Sequence, residues 1–352
     1  DLTRGLARGR PWLLMESSTS AVNWQPRNLA KTPGELRRHA LSHLARGADG
    51  IMFFQWRASR AGAEKYHSAM LPHAGTGSKV WREVRALGRE LQGLAEVKGS
   101  RVVASVAVLW DYESWWAVEL DSHPSADVRY LDAVRRTYDA LWRAGVTVDF
   151  VHPQDDLTGY DLLLAPSLYL LADAGVKALA EHVRGGGSLL VQYFSGIVDE
   201  HDHVRLGGYP GALREVLGIR VEEFFPLAAE QQLSLSGGGT ATTWSEQVSL
   251  EGAEAVQTFA DGPVAGSPAL TRHSYGEGTA WYLATTPDPA TLDGIIAGIA
   301  ADAGVTPAAP PQPGVEVIRR GDRLFVINHS QLEVTVAGTL VAAGDVAVLP
   351  VT

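Results

Sequence analysis

The chain has 352 residues, 45% of them hydrophobic, which is enough to bury substantial cores in two or three domains. Its net charge of −10, with a pI near 5.6, argues against a nucleic-acid surface, which needs clustered Lys and Arg. It has no cysteine, so disulfides, thiolate metal sites and cysteine nucleophiles are excluded together. No apolar run is long enough to cross a bilayer, and residue 1 opens neither a signal peptide nor a membrane anchor. Nucleic acid and membrane are therefore not expected as partners, and no metal or cofactor is expected. Asp1 is not an initiator methionine, and residues 11–17 already read as a late strand of something larger. The expectation is the C-terminal part of a longer protein.

Apolar periodicity over residues 1–97 predicts two successive βα units. The first strand is 12–16, and its helix runs from about 33, with Thr32 as N-cap, to 45. The second strand is 50–56, with a helix from about 78 to 94. The grammar restarts at Arg101 with a strand at 102–109, a helix at 128–144 and strands at 146–151 and 161–165. A helix at 172–183 and a strand at 188–192 continue it, and such alternation implies a parallel sheet with helices on both faces. Residues 231–283 are rich in Thr, Ser and Gly with short strands, and a helix at 290–303 follows. The stretch 307–314 is a stiff, Pro-rich linker. Beyond it, 315–318 and 324–327 flank Arg319-Arg320-Gly321-Asp322-Arg323 as a hairpin in a small antiparallel β domain.

Chemistry concentrates after the first strand. The apolar run Leu13-Leu14-Met15 ends on Glu16, and a polar loop opens at once. Such a carboxylate is either a cap or surface charge, or a catalytic group at a strand end. The loop carries Asn23-Trp24-Gln25-Pro26-Arg27-Asn28, whose indole and amides offer an apolar face for a pyranose ring and hydrogen bonds for its hydroxyls. Trp24 equally fits a buried core indole. Glu64 and His67, three apart after the second strand, fit a solvated turn or a polar pair in a site. Phe54 reads as core by its strand position, and Trp56 and Arg57 as support behind a site.

Three further features read as structure. Asp199-Glu200-His201-Asp202-His203 lies in a glycine-flanked loop, and zinc usually draws ligands from more than one element, so a solvated loop near a subunit contact is expected. Gly185-Gly186-Gly187 and Gly237-Gly238-Gly239 lack the Lys-Ser/Thr of a phosphate loop and read as turns. Trp110-Asp111-Tyr112-Glu113-Ser114-Trp115-Trp116 is aromatic-dense at a strand end, a composition that marks a contact surface.

The stretch from Leu13 to Asn28 resembles the nucleophile motif of glycoside hydrolase family 42, bacterial β-galactosidases built on a TIM barrel. Gly50-Ile51-Met52-Phe53-Phe54-Gln55-Trp56-Arg57, then Gly62-Ala63-Glu64-Lys65-Tyr66-His67-Ser68-Ala69-Met70, resembles the family's last barrel strand and the loop after it. Tyr193-Phe194-Ser195-Gly196-Ile197-Val198-Asp199-Glu200 and Leu206-Gly207-Gly208-Tyr209-Pro210-Gly211 resemble its second domain. The motifs stand in family order over most of the chain.

The resemblance implies an α/β fold in three parts. A partial TIM barrel of two βα units, the seventh and eighth, occupies 1–97, where the first strand would have an unpaired edge. A flavodoxin-like, amidotransferase-like parallel-sheet trimerisation domain spans 98–308, and a small antiparallel β-sandwich 309–352. Without cysteine the middle domain lacks the nucleophile of its namesake chemistry, which leaves scaffolding, assembly or a wall around a neighbour's active site. The aromatic run from Trp110 to Trp116 would then pack against the barrel top or a neighbouring subunit.

The same resemblance makes Glu16 the nucleophile of a retaining double displacement, which needs a second carboxyl group about 5–5.5 Å away. In the family that acid/base glutamate follows an asparagine on the fourth barrel strand, and this chain has no Asn-Glu pair. The chain alone is therefore expected not to hydrolyse β-galactosides. Trp24 and Phe54 would line the galactose subsite. Glu64 and His67, matching a Glu-Lys-x-His pattern, would grip sugar hydroxyls and discriminate the axial one. β-Galactosides as substrates, a homotrimer and a cytoplasmic location are likewise implied. The rival reading is a non-catalytic oligomerisation or sugar-binding module.

Overall fold

Two parallel strands, each followed by a helix, open the chain. The computed structural model, which describes residues 1–351, begins with α1 (Leu2–Leu6), β1 (Trp12–Ser18), α2 (Glu35–Ala45), β2 (Ala48–Phe54) and α3 (Lys79–Gly93). Among the described residues, β1 and β2 pair in parallel and only with each other. On α2, Leu36, Ala40, Leu41, Leu44 and Ala45 are buried at helical spacing. Leu36 and Ala40 meet Leu87 of α3, with Ile51 and Phe53 of β2 packed against them. The other face of the sheet, alternating with this one along each strand, leaves Leu13, Met15 and Met52 exposed.

The start of α2 departs from expectation. Gly34, at φ 84°, is the residue before the helix, a conformation that glycine takes at no steric cost. Thr32 does not cap the helix with its side chain: the Glu35 carboxylate instead accepts from the Thr32 amide at 2.8 Å and its hydroxyl at 3.0 Å. α3 keeps the simpler serine cap, with Ser78 Oγ accepting from the Trp81 amide at 3.3 Å.

The next elements are β3 (Val106–Leu109), α4 (Tyr112–Val118), α5 (Tyr130–Arg143), β4 (Val148–Val151), β5 (Leu162–Ala165), α6 (Asp173–Arg184) and β6 (Ser188–Gln192). Then come α7 (Arg214–Leu217), β7 (Ile219–Pro226), β8 (Leu233–Ser234), β9 (Thr240–Thr242) and β10 (Trp244–Leu250). β11 (Glu254–Thr258), β12 (Pro268–Tyr275), β13 (Gly278–Leu283), β14 (Thr286–Pro287) and α8 (Pro289–Asp302) complete the segment. A seven-stranded sheet runs in the order β11-β12-β13-β6-β5-β3-β4, parallel from β13 to β4 and antiparallel from β11 to β13. β3, β5 and β6 are buried at every position, which accounts for their unbroken apolar runs. The aromatic stretch after β3 becomes α4, capped by the Asp111 carboxylate, which accepts from the Glu113 and Ser114 amides at 3.0 Å each.

β3 starts later than its apolar run suggests because Val102 and Val103 belong elsewhere. The Val103 amide donates to the Arg319 carbonyl at 3.0 Å, joining this stretch to β15 (Val315–Arg320). β16 (Arg323–Asn328), β17 (Val334–Val336), β18 (Thr339–Val341) and β19 (Val346–Pro350) follow. β15, β16 and β19 form an antiparallel sheet, and β17 and β18 a hairpin. Ile318, Phe325, Ile327 and Val346 of that sheet pack with Leu41, Leu44 and Ala45 of α2 and with Val97. Each fully buried Leu or Phe there contributes about 1.5–3 kcal/mol.

Arg320 ties the same elements together with polar bonds. It is 1% exposed, and its guanidinium donates to the carbonyls of Leu44 at 2.6 Å, Ala48 at 2.8 Å and Ser100 at 3.2 Å, with Asp49 as its ion pair. The chain thus forms two compact units: Asp1–Val103 with Ala308–Thr352, and Ala104–Pro307.

Candidate active site

Glu16 stands two residues before the end of β1, at an irregularity of its pairing. Leu14 faces Ile51 and Ser17 faces Phe53, so Met15 and Glu16 together oppose Met52. Two residues against one is the geometry of a bulge, which re-aims side chains near a strand end. The Glu16 side chain is exposed.

The loops after β1 and β2 are knitted to each other. The Ser20 amide donates to Ser68 Oγ at 2.9 Å, the Ser68 amide to the Ala21 carbonyl at 2.9 Å, and Asn23 Nδ2 to the Ala63 carbonyl at 2.8 Å. Asn28 and Gln25 close a turn on each other at 3.0 Å in both directions. The amides of Asn23 and Asn28 thus shape the loop.

These bonds bring three of the predicted site residues into one cluster. His67 is 3% exposed; Trp24 stacks on it with ring centres 5.4 Å apart and planes at 26°, and Phe54 meets it edge-on at 4.9 Å. His67 Nδ1 lies 2.8 Å from the Ser68 carbonyl oxygen. A carbonyl can only accept, so Nδ1 carries the proton, which leaves Nε2 as the ring nitrogen that can meet a hydroxyl. Trp24 is 63% exposed, with one face on His67 and the rest of the ring open. Glu64 shares the turn of His67, whose amide donates to the Glu64 carbonyl at 3.0 Å, but its carboxylate points into solvent. Trp56 leans edge-on against Trp81 of α3 at 6.0 Å, and Arg57 bridges to Leu71.

Three residues at the same strand ends escape a sequence reading. Lys31 reaches back so that its Nζ donates to the Ser18 carbonyl and to Ser18 Oγ at 3.3 Å. Burial holds its ammonium below the usual lysine range, Glu35 pulls the other way, and Lys79 adds repulsion. Thr19 and Gln55 each follow a strand by one residue, and Thr19 Oγ1 and Gln55 Nε2 are buried without a hydrogen-bond partner among the described residues. The signal for both was position alone, since residues just past parallel strand ends build sites.

The other sequence features take local geometries of their own. Asp199 Oδ1 accepts from the His201 amide at 2.9 Å and the His203 amide at 3.0 Å, so the acidic end of that run caps its own turn. Among the described residues no group of three or more His, Asp or Glu is placed to hold a metal ion, and no helix is long and apolar enough to cross a membrane. The Gly237-Gly238-Gly239 run turns the chain from β8 to β9. Around α4, Tyr112 stacks on Trp115 with centres 6.0 Å apart, and Trp116 is exposed.

Known proteins resemble the chain over most of its length. A family model described as beta-galactosidase matches residues 1–94, and one described as beta-galactosidase trimerisation domain matches residues 104–306. A beta-galactosidase of Arthrobacter sp. is 55% identical over 98% of this chain and 51% of its own length. One from Geobacillus sp. (strain Y412MC61) is 46% identical over 96% of this chain and 51% of its own. The chain spans about half the length of these curated relatives. Among solved structures, the beta-galactosidase of Bacillus circulans sp. alkalophilus superposes with a TM-score of 0.95 at 35% identity, covering 99% of this chain and 56% of that one. The enzyme of Rahnella sp. R3 gives 0.92 at 37%, with the same coverage.

Proposed function

The chain belongs to glycoside hydrolase family 42, and from that membership we propose that it is the C-terminal portion of a retaining β-galactosidase whose nucleophile is Glu16. The observation that carries the reading is the Trp24–His67 stack braced by Phe54, built from the end of β2 and from the loops that follow β2 and β1, the strand that bears Glu16. An indole face for the sugar ring, an imidazole nitrogen for a hydroxyl and a solvent-facing carboxylate are the parts a galactosyl site needs.

In this proposal the Glu16 carboxylate attacks the anomeric carbon and forms a galactosyl ester. A second carboxyl group protonates the leaving oxygen, then takes a proton from the water that releases the sugar. That group belongs to the part of the protein outside this sequence, since no Asn-Glu pair occurs here. Trp24 and Phe54 bound the galactose subsite, and Glu64 and His67 take its hydroxyls. The protein acts as a homotrimer in the cytoplasm, with residues 1–97 completing a barrel, 98–308 assembling the trimer and 309–352 closing the chain as a β domain.

The test is hydrolysis of a chromogenic β-galactoside. The full-length protein turns it over, Glu16→Gln lowers kcat by roughly four orders of magnitude or more, and the purified 352-residue chain alone shows no turnover. Activity in the isolated chain that is lost on Glu16→Gln would overturn the assignment of the acid/base group to another segment.

A further inference from the structure

A lysine in the loop between a strand and a helix ordinarily leaves its ammonium in water. Lys31 turns back on the strand it follows, and its Nζ donates to the carbonyl and to Oγ of Ser18, the last residue of β1. The backbone that carries it is fixed as well. The Lys31 amide donates to Ser20 Oγ at 3.2 Å, and its carbonyl accepts from Nζ of Lys79, at the start of α3, at 2.6 Å.

Each residue that Lys31 grips leads to a part of the candidate site. Ser18 pairs with Phe54, whose ring braces His67. Ser20 donates its amide to Ser68 Oγ at 2.9 Å, and Ser68 supplies the carbonyl that His67 Nδ1 meets at 2.8 Å. Upstream of Ser18 stands Glu16, on the bulge it forms with Met15. A bulge interrupts the ladder, so pairing with β2 fixes Glu16 less firmly than a regular register would. Beyond the bulge the strand has Ser17 and Ser18 in register before the loop begins, and the Lys31 ammonium closes that short end.

We propose that Lys31 is a positioning residue for the nucleophile: its ammonium clamps the end of β1, so that the Glu16 carboxylate two residues earlier stays aimed at the anomeric carbon of a bound galactoside. In this role Lys31 acts through Ser18 and not on the sugar. The inference rests on the reading of Glu16 as nucleophile.

The experiment uses the full-length protein and an activated fluoro-deoxygalactoside with a dinitrophenolate leaving group. Glu16 attacks the anomeric carbon, the phenolate departs without needing a proton, and the galactosyl ester persists because fluorine slows its hydrolysis. The saturating rate of inactivation therefore reads the alignment of the nucleophile without the acid/base group, and the released phenolate counts the competent sites. Lys31→Met keeps the stem and removes the ammonium. It is expected to lower the rate per competent site by about tenfold to a hundredfold, with the half-saturating concentration changed by less than about threefold. Lys31→Arg restores a cation of similar reach and is expected to recover most of the loss. Ser20→Ala frees the Lys31 amide and is expected to lower the rate by about threefold, which keeps the test open if Lys31→Met does not fold. A wild-type rate per site in Lys31→Met, with only the number of sites or the unfolding temperature reduced, would make Lys31 a folding residue and overturn the inference. A wild-type rate in Ser20→Ala beside an unfolded Lys31→Met would do the same. An ester found on a carboxylate other than Glu16 would instead overturn the nucleophile assignment, and the inference with it.

Discussion

The imidazole of His67 lies against the indole of Trp24 at 26° from parallel, so one face of the tryptophan is already occupied and the proposed sugar would have only the other. Replacing His67 by Phe keeps a ring in the stack and removes Nε2. In the full-length protein this is expected to lower kcat/KM for a β-galactoside by about tenfold to a hundredfold and to narrow its preference over the matched β-glucoside. Trp24→Ala is expected to act mainly on KM. Steady-state kinetics on the two glycosides check both, and an unchanged epimer preference in His67→Phe would remove His67 from hydroxyl recognition.

Arg320 is expected to dominate the stability of the unit formed by residues 1–103 and 308–351. Arg320→Leu leaves the Asp49 carboxylate without its cation, held only by the Gly99 amide, and strips the Leu44, Ala48 and Ser100 carbonyls of a donor. The loss is expected to be about 3–5 kcal/mol, read as a lower urea midpoint. Arg320→Lys is expected to recover only part of it, because one ammonium cannot copy the planar fork of donors.

Glu246 predicts a slope of stability against pH opposite in sign to that of most carboxylates. Burial pushes it up to about 8, against the pull of hydrogen bonds from Tyr282 Oη at 2.7 Å and Trp244 Nε1 at 2.8 Å. Between its unfolded value of 4.5 and about 8, the native chain holds a proton that the unfolded chain has released. This contribution to stability therefore falls as pH rises through that window and levels off above it. Glu246→Gln preserves an acceptor for Trp244 and cannot titrate, so its denaturation midpoints should lack the downward slope. Parallel curves for the two proteins would show that Glu246 is not the group responsible.

The sheet face carrying Leu13, Met15 and Met52 predicts how the 352-residue chain behaves alone. With β1 and β2 paired only to each other, it should bind an environment-sensitive apolar dye and self-associate on warming. The full-length protein should do neither to the same extent. Equal dye binding by both would mean that this face stays open in the complete protein.

Periodicity located the βα units, the parallel sheet and the final hairpin because each is a local pattern. It misjudged the start of α2, where the left-handed Gly34 displaced the expected threonine cap, and the start of β3, because Val102 and Val103 pair with a strand more than 200 residues away. Arg320 is the sharpest case: inside the run Arg319-Arg320-Gly321-Asp322-Arg323 it reads as one more solvated charge, yet it is among the most buried side chains. At the candidate site, Trp24, Phe54 and His67 were nameable from motifs, but their mutual stacking was not. Lys31 and Thr19 carried no pattern, and Gln55, though inside a motif, carried no sign of its buried amide, because the loop geometry that seats them exists only after folding.

The bonding of β15, β16 and β19 to the opening βα units also bears on biosynthesis. On a ribosome, the polypeptide that will become Asp1–Val103 emerges long before Phe325, Ile327 or Val346 exists to cover Leu41 and Leu44. The intervening unit has all of its strands in hand first and is free to fold while the earlier segment waits with apolar surface uncovered. That stretch of the nascent chain thus stays vulnerable, and the hold of a chaperone there should lapse only once β19 has left the exit tunnel.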